Sequence, residues 1–239
     1  MCDDCRVKGM SRRHALKFAA AGVLALGIST QARMVRAAGG PTTALTPDEA
    51  LAALKEGNAR FVADPELCTL DLSQRRNAVA SGQAPWATVI SCADSRVPPE
   101  LVFGGVGLGE LFVARNAGNL VDTATLGTVE YGAAVLGSPL IVVLAHTKCG
   151  AVAAACDVVS KNATYPGAIG PMIEPIIPAA LSVSGDAGDF VNNSAIASAK
   201  RTVERLGSAS TVLSGLASAG KLRVVAAIYA LETGVVSFL

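Results

Sequence analysis

The chain has 239 residues, 51% hydrophobic and 16% charged, with a formal net charge of +1; that is one domain of ordinary size with enough apolar side chains for a large core. The charge is uneven, since residues 1–37 hold seven basic side chains against Asp3 and Asp4, a net of +5 that leaves −4 on the remainder. A mildly acidic body gives no electrostatic reason to expect a nucleic-acid partner, and beyond residue 37 the only histidine is His146.

Residues 1–37 read as an export segment. Ser11-Arg12-Arg13-His14-Ala15-Leu16-Lys17 is a twin-arginine pattern, with Ala15 where a bulky apolar residue is common. The apolar run from Phe18 to Ile28 is shorter than the roughly 20 residues of a membrane span, and small residues follow around Val35-Arg36-Ala37-Ala38. The expected destination is the periplasm or the exterior; the alternative is a basic tail or an uncleaved anchor. Twin-arginine export carries folded proteins, so a metal is loaded before free thiols meet an oxidising compartment. Cys2 and Cys5 form a lone CxxC, a weak metal or redox signal ahead of any foldable region. Residues 38–45 read as a linker, and 46–239 as a single domain.

Thr46-Pro47-Asp48-Glu49 opens a helix with a capping box, and Leu51, Leu54, Phe61 and Val62 lie roughly on one face. Cys68 falls in a loop-like stretch, and Arg75 to Ser81 is a short helix. The run Ala87–Ser91 predicts a buried strand that leads into Cys92-Ala93-Asp94-Ser95-Arg96. Strands follow at 111–114, 140–145 and 221–230, with helices at 122–136, 150–159, 172–181, 190–206 and 211–219 between them. Glu232-Thr233-Gly234 turns the chain into a last short strand, 235–239. The expected class is α/β, a mostly parallel central sheet flanked by helices. Cys156, inside an apolar helix, reads as a small packing residue.

Open α/β sheets place their sites at the carboxyl ends of the strands. The strands ending near residues 91 and 145 would bring Cys92 together with His146 and Cys149 of His146-Thr147-Lys148-Cys149-Gly150. Two thiolates and an imidazole are a three-ligand zinc set with an open fourth position, the pattern of a catalytic rather than a structural zinc. Thiolates donate more charge than imidazoles, so a further group is needed to keep a zinc-bound water ionised near neutral pH. Asp94 shares a side of extended backbone with Cys92, and Arg96 two residues on can pair with it bidentately and turn it away from the metal. A DxR alone reads as a capped turn with a surface partner, and an HxxC alone as coincidence; together at two strand ends they form a joint pattern.

With these residues in view the chain closely resembles the β-class carbonic anhydrases, zinc enzymes that interconvert carbon dioxide and bicarbonate. The resemblance runs from about Leu51 to Leu239 and rests on CxDSR at 92–96, Gly109 to Asn119, HxxCG at 146–150 and Tyr229 to Gly234. It implies one Zn²⁺ on Cys92, His146 and Cys149, with Asp94 and Arg96 as a catalytic dyad. It further implies Gln83 as a hydrogen-bond donor to substrate, and Phe112 and Tyr131 as aromatic residues lining the cleft of the plant-like subgroup. The family cleft lies at a dimer interface, so a homodimer or higher multiple is expected, with Gln83 and Tyr131 serving the neighbouring subunit. Without the resemblance, Phe112 and Tyr131 read as core residues and Gln83 as a loop residue.

Two departures matter. Ala145 stands where the family has glycine before the histidine, and Val89 where the bicarbonate-inhibited subgroup has tryptophan, which argues for a constitutively open site. With no second histidine in the body, proton release falls to buffer, a carboxylate or a tyrosine. Three alternatives stay open: hydrolysis of carbon disulfide or carbonyl sulfide on the same zinc, a catalytically silent structural zinc, and thiol redox chemistry at Cys92 and Cys149.

Overall fold

Two apolar strands, β1 (Ala87–Cys92) and β3 (Leu140–His146), lie side by side, and every residue in both is buried. The structure, a computed structural model, describes residues 42–64 and 72–239 (72–74 by backbone only). The export segment 1–37, the first part of the linker, Cys2, Cys5 and Cys68 lie outside the described residues. The described residues fall within one unit, Met34–Leu239, and no helix among them is long and apolar enough to cross a membrane.

The sheet has five strands in the order β2-β1-β3-β4-β5, where β2 is Leu111–Asn116, β4 Arg223–Tyr229 and β5 Val236–Phe238. The first four run parallel, and β5 returns antiparallel to β4. Central parallel strands are covered on both faces, which is why they read as unbroken apolar runs. The chain passes from β1 to β2 on one side and comes back to β3 on the other. Adjacent crossovers therefore depart in opposite directions between β1 and β3, the place where such sheets open a crevice.

Helix α1 (Pro47–Ala63) begins with the expected capping box, Thr46 with Glu49. Its buried face includes Leu51 and Leu54, but Val62 is exposed. Gly57 and Asn58 take the inner positions instead. A Cβ on Gly57 would sit 2.0 Å from the Phe103 carbonyl oxygen, so only glycine allows that approach. Asn58 donates to the carbonyls of Val102 and Gly234 and accepts from the Val236 N–H, tying α1 to the β4–β5 hairpin. Helix α2 (Leu72–Ala78) starts and ends three residues before the predicted span, and α3 (Pro99–Val102) is a single turn after β1.

Helix α4 (Thr123–Glu130), capped by Asp122, passes into a π-helical turn, Tyr131–Val135. The turn approaches its neighbours closely: a Cβ on Gly132 would lie 2.7 Å from Thr88 Oγ1 and 2.9 Å from Phe112 Cδ1. Helix α5 (Gly150–Lys161) follows β3 directly. The predicted helix at 172–181 is three pieces, α6 (Ile169–Ile173), a 3₁₀ turn (Glu174–Ile176) and α7 (Ile177–Ser182). Pro175 and Pro178, which lack N–H donors, interrupt the ladder there. Helices α8 (Phe190–Ala209) and α9 (Thr211–Ser218) start at the caps Asp189 and Ser210. Cys156 is buried, and its thiol meets Ser194 Oγ at 3.3 Å, as a packing residue would.

Candidate metal centre

Cys92 is the last residue of β1 and His146 the last of β3, and the pairing of these neighbouring strands, which runs to Ser91 opposite Leu144, brings both to the carboxyl edge. Lys148, between the other two ligand candidates, adopts φ 54°, and this left-handed residue turns the chain so that Cys149 points back toward them before α5 begins. The cysteine sulfurs and the imidazole then offer one ligand atom each, all within 4.8 Å of one another and all on buried residues.

Three observations fit a metal of the zinc type. The sulfurs are 3.9 Å apart, and two thiolates on a tetrahedral zinc at about 2.3 Å stand roughly 3.8 Å apart. His146 Nδ1 lies 2.9 Å from the Thr147 carbonyl oxygen; a carbonyl only accepts, so Nδ1 carries the proton and Nε2 keeps its lone pair for a cation. Nε2 itself is buried and has no hydrogen-bond partner, and a buried orphan of that kind needs an occupant.

A hydrogen bond between the sulfurs pulls the Cys92 thiol down and pushes Cys149 up. Burial opposes charge on His146, but Cys92, the Thr147 carbonyl and Asp94 outweigh it and the net shift is upward. Binding a divalent cation here therefore releases protons.

Asp94 and Arg96 stand together. Arg96 donates from Nε to Oδ1 at 2.9 Å and from Nη2 to Oδ2 at 2.7 Å, and its backbone N–H adds a third bond to Oδ1 at 3.0 Å. These bonds hold the Asp94 carboxyl well below the usual carboxylate range. Oδ2 lies 3.9 Å from His146 Nε2, near the ligand atoms yet committed to the guanidinium.

Residues the sequence reading left without a role hold the framework. Arg115, on β2, donates to the Cys92 carbonyl at 2.9 Å and to the Asp94 carbonyl at 2.6 Å, clamping the turn between ligand and carboxylate. Its register opposite Ser91 was the available signal. The Gly118 N–H donates to Cys92 Sγ at 3.4 Å. Asn116 shapes the loop that presents this N–H, bonding Leu120 through both ends of its amide. Ala145, the expected point of crowding, is buried opposite Ile228, and the histidine beyond it keeps its place.

Gln83, Phe112 and Tyr131 lie elsewhere. Phe112 pairs with Thr88, four residues before Cys92 along β1, which is about 13 Å of strand. Its ring and that of Tyr131 are 6.1 Å apart, and Tyr131 is 45% exposed rather than part of the core. Gln83 is exposed and precedes β1, beside the loop at Gly109. One protomer therefore groups these three near the opposite end of the sheet from the ligand atoms. Strand β2 is the sheet edge, half-exposed over most of its length.

Comparison with known proteins converges on one family. The family model described as carbonic anhydrase matches residues 87–236. Carbonic anhydrase 2 of Mycobacterium tuberculosis is 38% identical over 188 residues, which cover 79% of this chain and 90% of that protein. Among solved structures, a Coccomyxa β-carbonic anhydrase in complex with acetazolamide is 28% identical with a TM-score of 0.62, covering 82% of this chain and 87% of that one. One of two tetrameric β-carbonic anhydrases from Sordaria macrospora is 25% identical with a TM-score of 0.62, covering 79% and 95%.

Proposed function

The chain belongs to the β-class carbonic anhydrases, a family of enzymes, and from that premise we propose that it catalyses the reversible hydration of carbon dioxide to bicarbonate and a proton with one Zn²⁺ held by Cys92, His146 and Cys149. The observation that carries this reading is the buried, unpartnered His146 Nε2 facing two sulfurs 3.9 Å apart, with a carboxylate oxygen 3.9 Å away. Zinc in such a site supplies a Lewis acid and lowers the pKa of water in its open position toward about 7.

The protein's own groups do the rest. Asp94 remains ionised because Arg96 holds both its oxygens, so Oδ2 is a fixed acceptor for a hydrogen bond from the attacking water and aims its lone pair at the substrate carbon. Arg96 also keeps the carboxylate from closing the site. Its grip, together with Val89 buried inside β1, supports a constitutively open centre. Arg115 fixes the backbone between Cys92 and Asp94, so ligand and acceptor keep their spacing. Gln83, Phe112 and Tyr131 form the substrate pocket against a second subunit, the amide of Gln83 polarising one oxygen of carbon dioxide. The bare edge of β2 and the exposed Tyr131 support assembly as a dimer or a multiple of one. The twin-arginine pattern at Ser11–Lys17 supports export to the periplasm or beyond.

Stopped-flow carbon dioxide hydration by the zinc-loaded chain, from neutral to mildly alkaline pH, tests the reading. Fast hydration across the range is expected. Zinc bound with no hydration at any pH overturns it.

A further inference from the structure

The turn that carries His146 and Cys149 is braced from outside by a carboxylate on another strand end. Glu232 follows β4. Its Oε2 accepts from Thr147 Oγ1 at 3.2 Å, and its Oε1 meets Lys148 Nζ at 2.5 Å. Thr147 is drawn to the same strand end twice more, its N–H donating to the Tyr229 carbonyl and its hydroxyl oxygen accepting from the Leu231 N–H. The hairpin that presents Glu232 is itself fixed by the Ala230–Val235 and Ala230–Gly234 backbone bonds and, through the Gly234 carbonyl, by Asn58 of α1.

We propose that Glu232 is a positioning residue for the metal centre: by clasping Thr147 and Lys148 together it holds His146 and Cys149 in ligating geometry. The inference rests on the ligand assignment proposed above. Three features carry it. Lys148 adopts φ 54°, a backbone conformation that L side chains disfavour, so the turn needs an external restraint to persist. The peptide that this conformation orients carries the Thr147 carbonyl, which receives the His146 Nδ1–H; a shift of that peptide frees the imidazole to rotate or change tautomer. Packing supplies little of the restraint, because the outer side of the turn borders a cavity of about 500 Å³ lined by Thr147, Lys148, Asn192 and Glu232 among others.

The ion pair is exposed, 68% for Lys148 and 50% for Glu232, and exposed pairs contribute little by themselves. Geometry, not Coulomb attraction, is the larger part of the clasp, and the carboxylate's bond to Thr147 matters more than its charge. Glu232→Ala should therefore weaken zinc binding by about tenfold, the lower end for an outer partner of a metal ligand. Glu232→Gln keeps an acceptor for Thr147 and should stay near wild type. Lys148→Gly removes the conformational conflict, so in the Glu232→Ala background it should restore zinc binding.

The test is competition of the full chain against a chromophoric zinc chelator, alongside visible spectra of the cobalt-substituted protein. Weakened zinc binding and altered cobalt bands in Glu232→Ala, both returned by Lys148→Gly, are expected. Wild-type affinity and spectrum in Glu232→Ala overturn the clasp. Failure of Lys148→Gly to restore either readout also overturns it, since a general loss of structure would not be repaired by one glycine. Wild-type chain that binds neither metal stoichiometrically overturns the ligand assignment, and the clasp with it.

Discussion

The two ends of the sheet differ in how much of a site one chain completes. At the carboxyl edge of β1 and β3, ligand atoms, carboxylate, guanidinium and backbone clamp are assembled from residues 92–149 of a single protomer. Toward the amino end, Phe112 lies on the half-exposed edge strand with the Tyr131 ring 6.1 Å away, and Gln83 is exposed in the loop before β1. On the proposed reading, reactivity belongs to the fold of one chain and the substrate pocket to its assembly. Changes at the first end should act through metal and turnover, and changes at the second through assembly and substrate.

Removing a ligand should produce the largest effect. Cys149→Ser replaces a thiolate by a hydroxyl that stays protonated at neutral pH, and zinc affinity should fall by more than the roughly 10–100-fold seen for outer partners. Metal analysis of the purified chain after dialysis should find it essentially zinc-free and inactive; full metal and full rate would remove Cys149 from the ligand set. Asp94→Asn comes next. The amide would keep the shape of the carboxylate but lose the ionised acceptor, so turnover should drop by about 10²–10⁴ while zinc content stays at the wild-type level. An unchanged rate would leave the Asp94–Arg96 pair a structural cap.

The carboxyl edge was legible in the sequence because its chemistry is local. Cys92 and Asp94 sit two residues apart, His146 and Cys149 three, and each group follows an apolar run that announces a buried strand. Register then does the remaining work, since parallel pairing of β1 with β3 brings the two strand ends to within one residue of each other. Arg115 was hidden because its partners are carbonyl oxygens, which every residue carries and no motif marks. Glu232 was hidden for another reason: a chain separation of 85 residues from Thr147 that only the β3–β4 pairing closes. The π-turn at Tyr131 escaped because the local pattern reads as one continuous helix. Val62 was misplaced because helical periodicity does not foresee Gly57 letting α1 approach the Phe103 backbone.

A change at Gly132 should fall on the second end alone. A methyl there meets Thr88 Oγ1 at 2.7 Å and Phe112 Cδ1 at 2.9 Å, and overpacking of this kind costs about 1–3 kcal/mol. Gly132→Ala should lower the thermal midpoint and displace the Phe112–Tyr131 pair, while zinc affinity remains that of the wild type. Loss of zinc in this variant would show that the two ends are coupled through β1.

Gln83→Ala should have the smallest effect and be the most informative. Gln83 is exposed in one protomer, so its removal should leave folding and zinc content untouched. One hydrogen bond to a neutral substrate contributes about 1 kcal/mol, so kcat/KM should fall by roughly fivefold. The decisive measurement is complementation. Gln83→Ala and Asp94→Asn chains, dissociated and reassembled together, should form mixed dimers in which one of the two sites is intact, with its Gln83 from one chain and its Asp94 from the other. Activity above the weighted sum of the parents is expected if the pocket is shared, because each parent assembly spoils both of its sites and the mixed one spoils only one twice over. Strictly additive activity, with mixed assemblies verified by mass, would place Gln83 on the same protomer's site or on none.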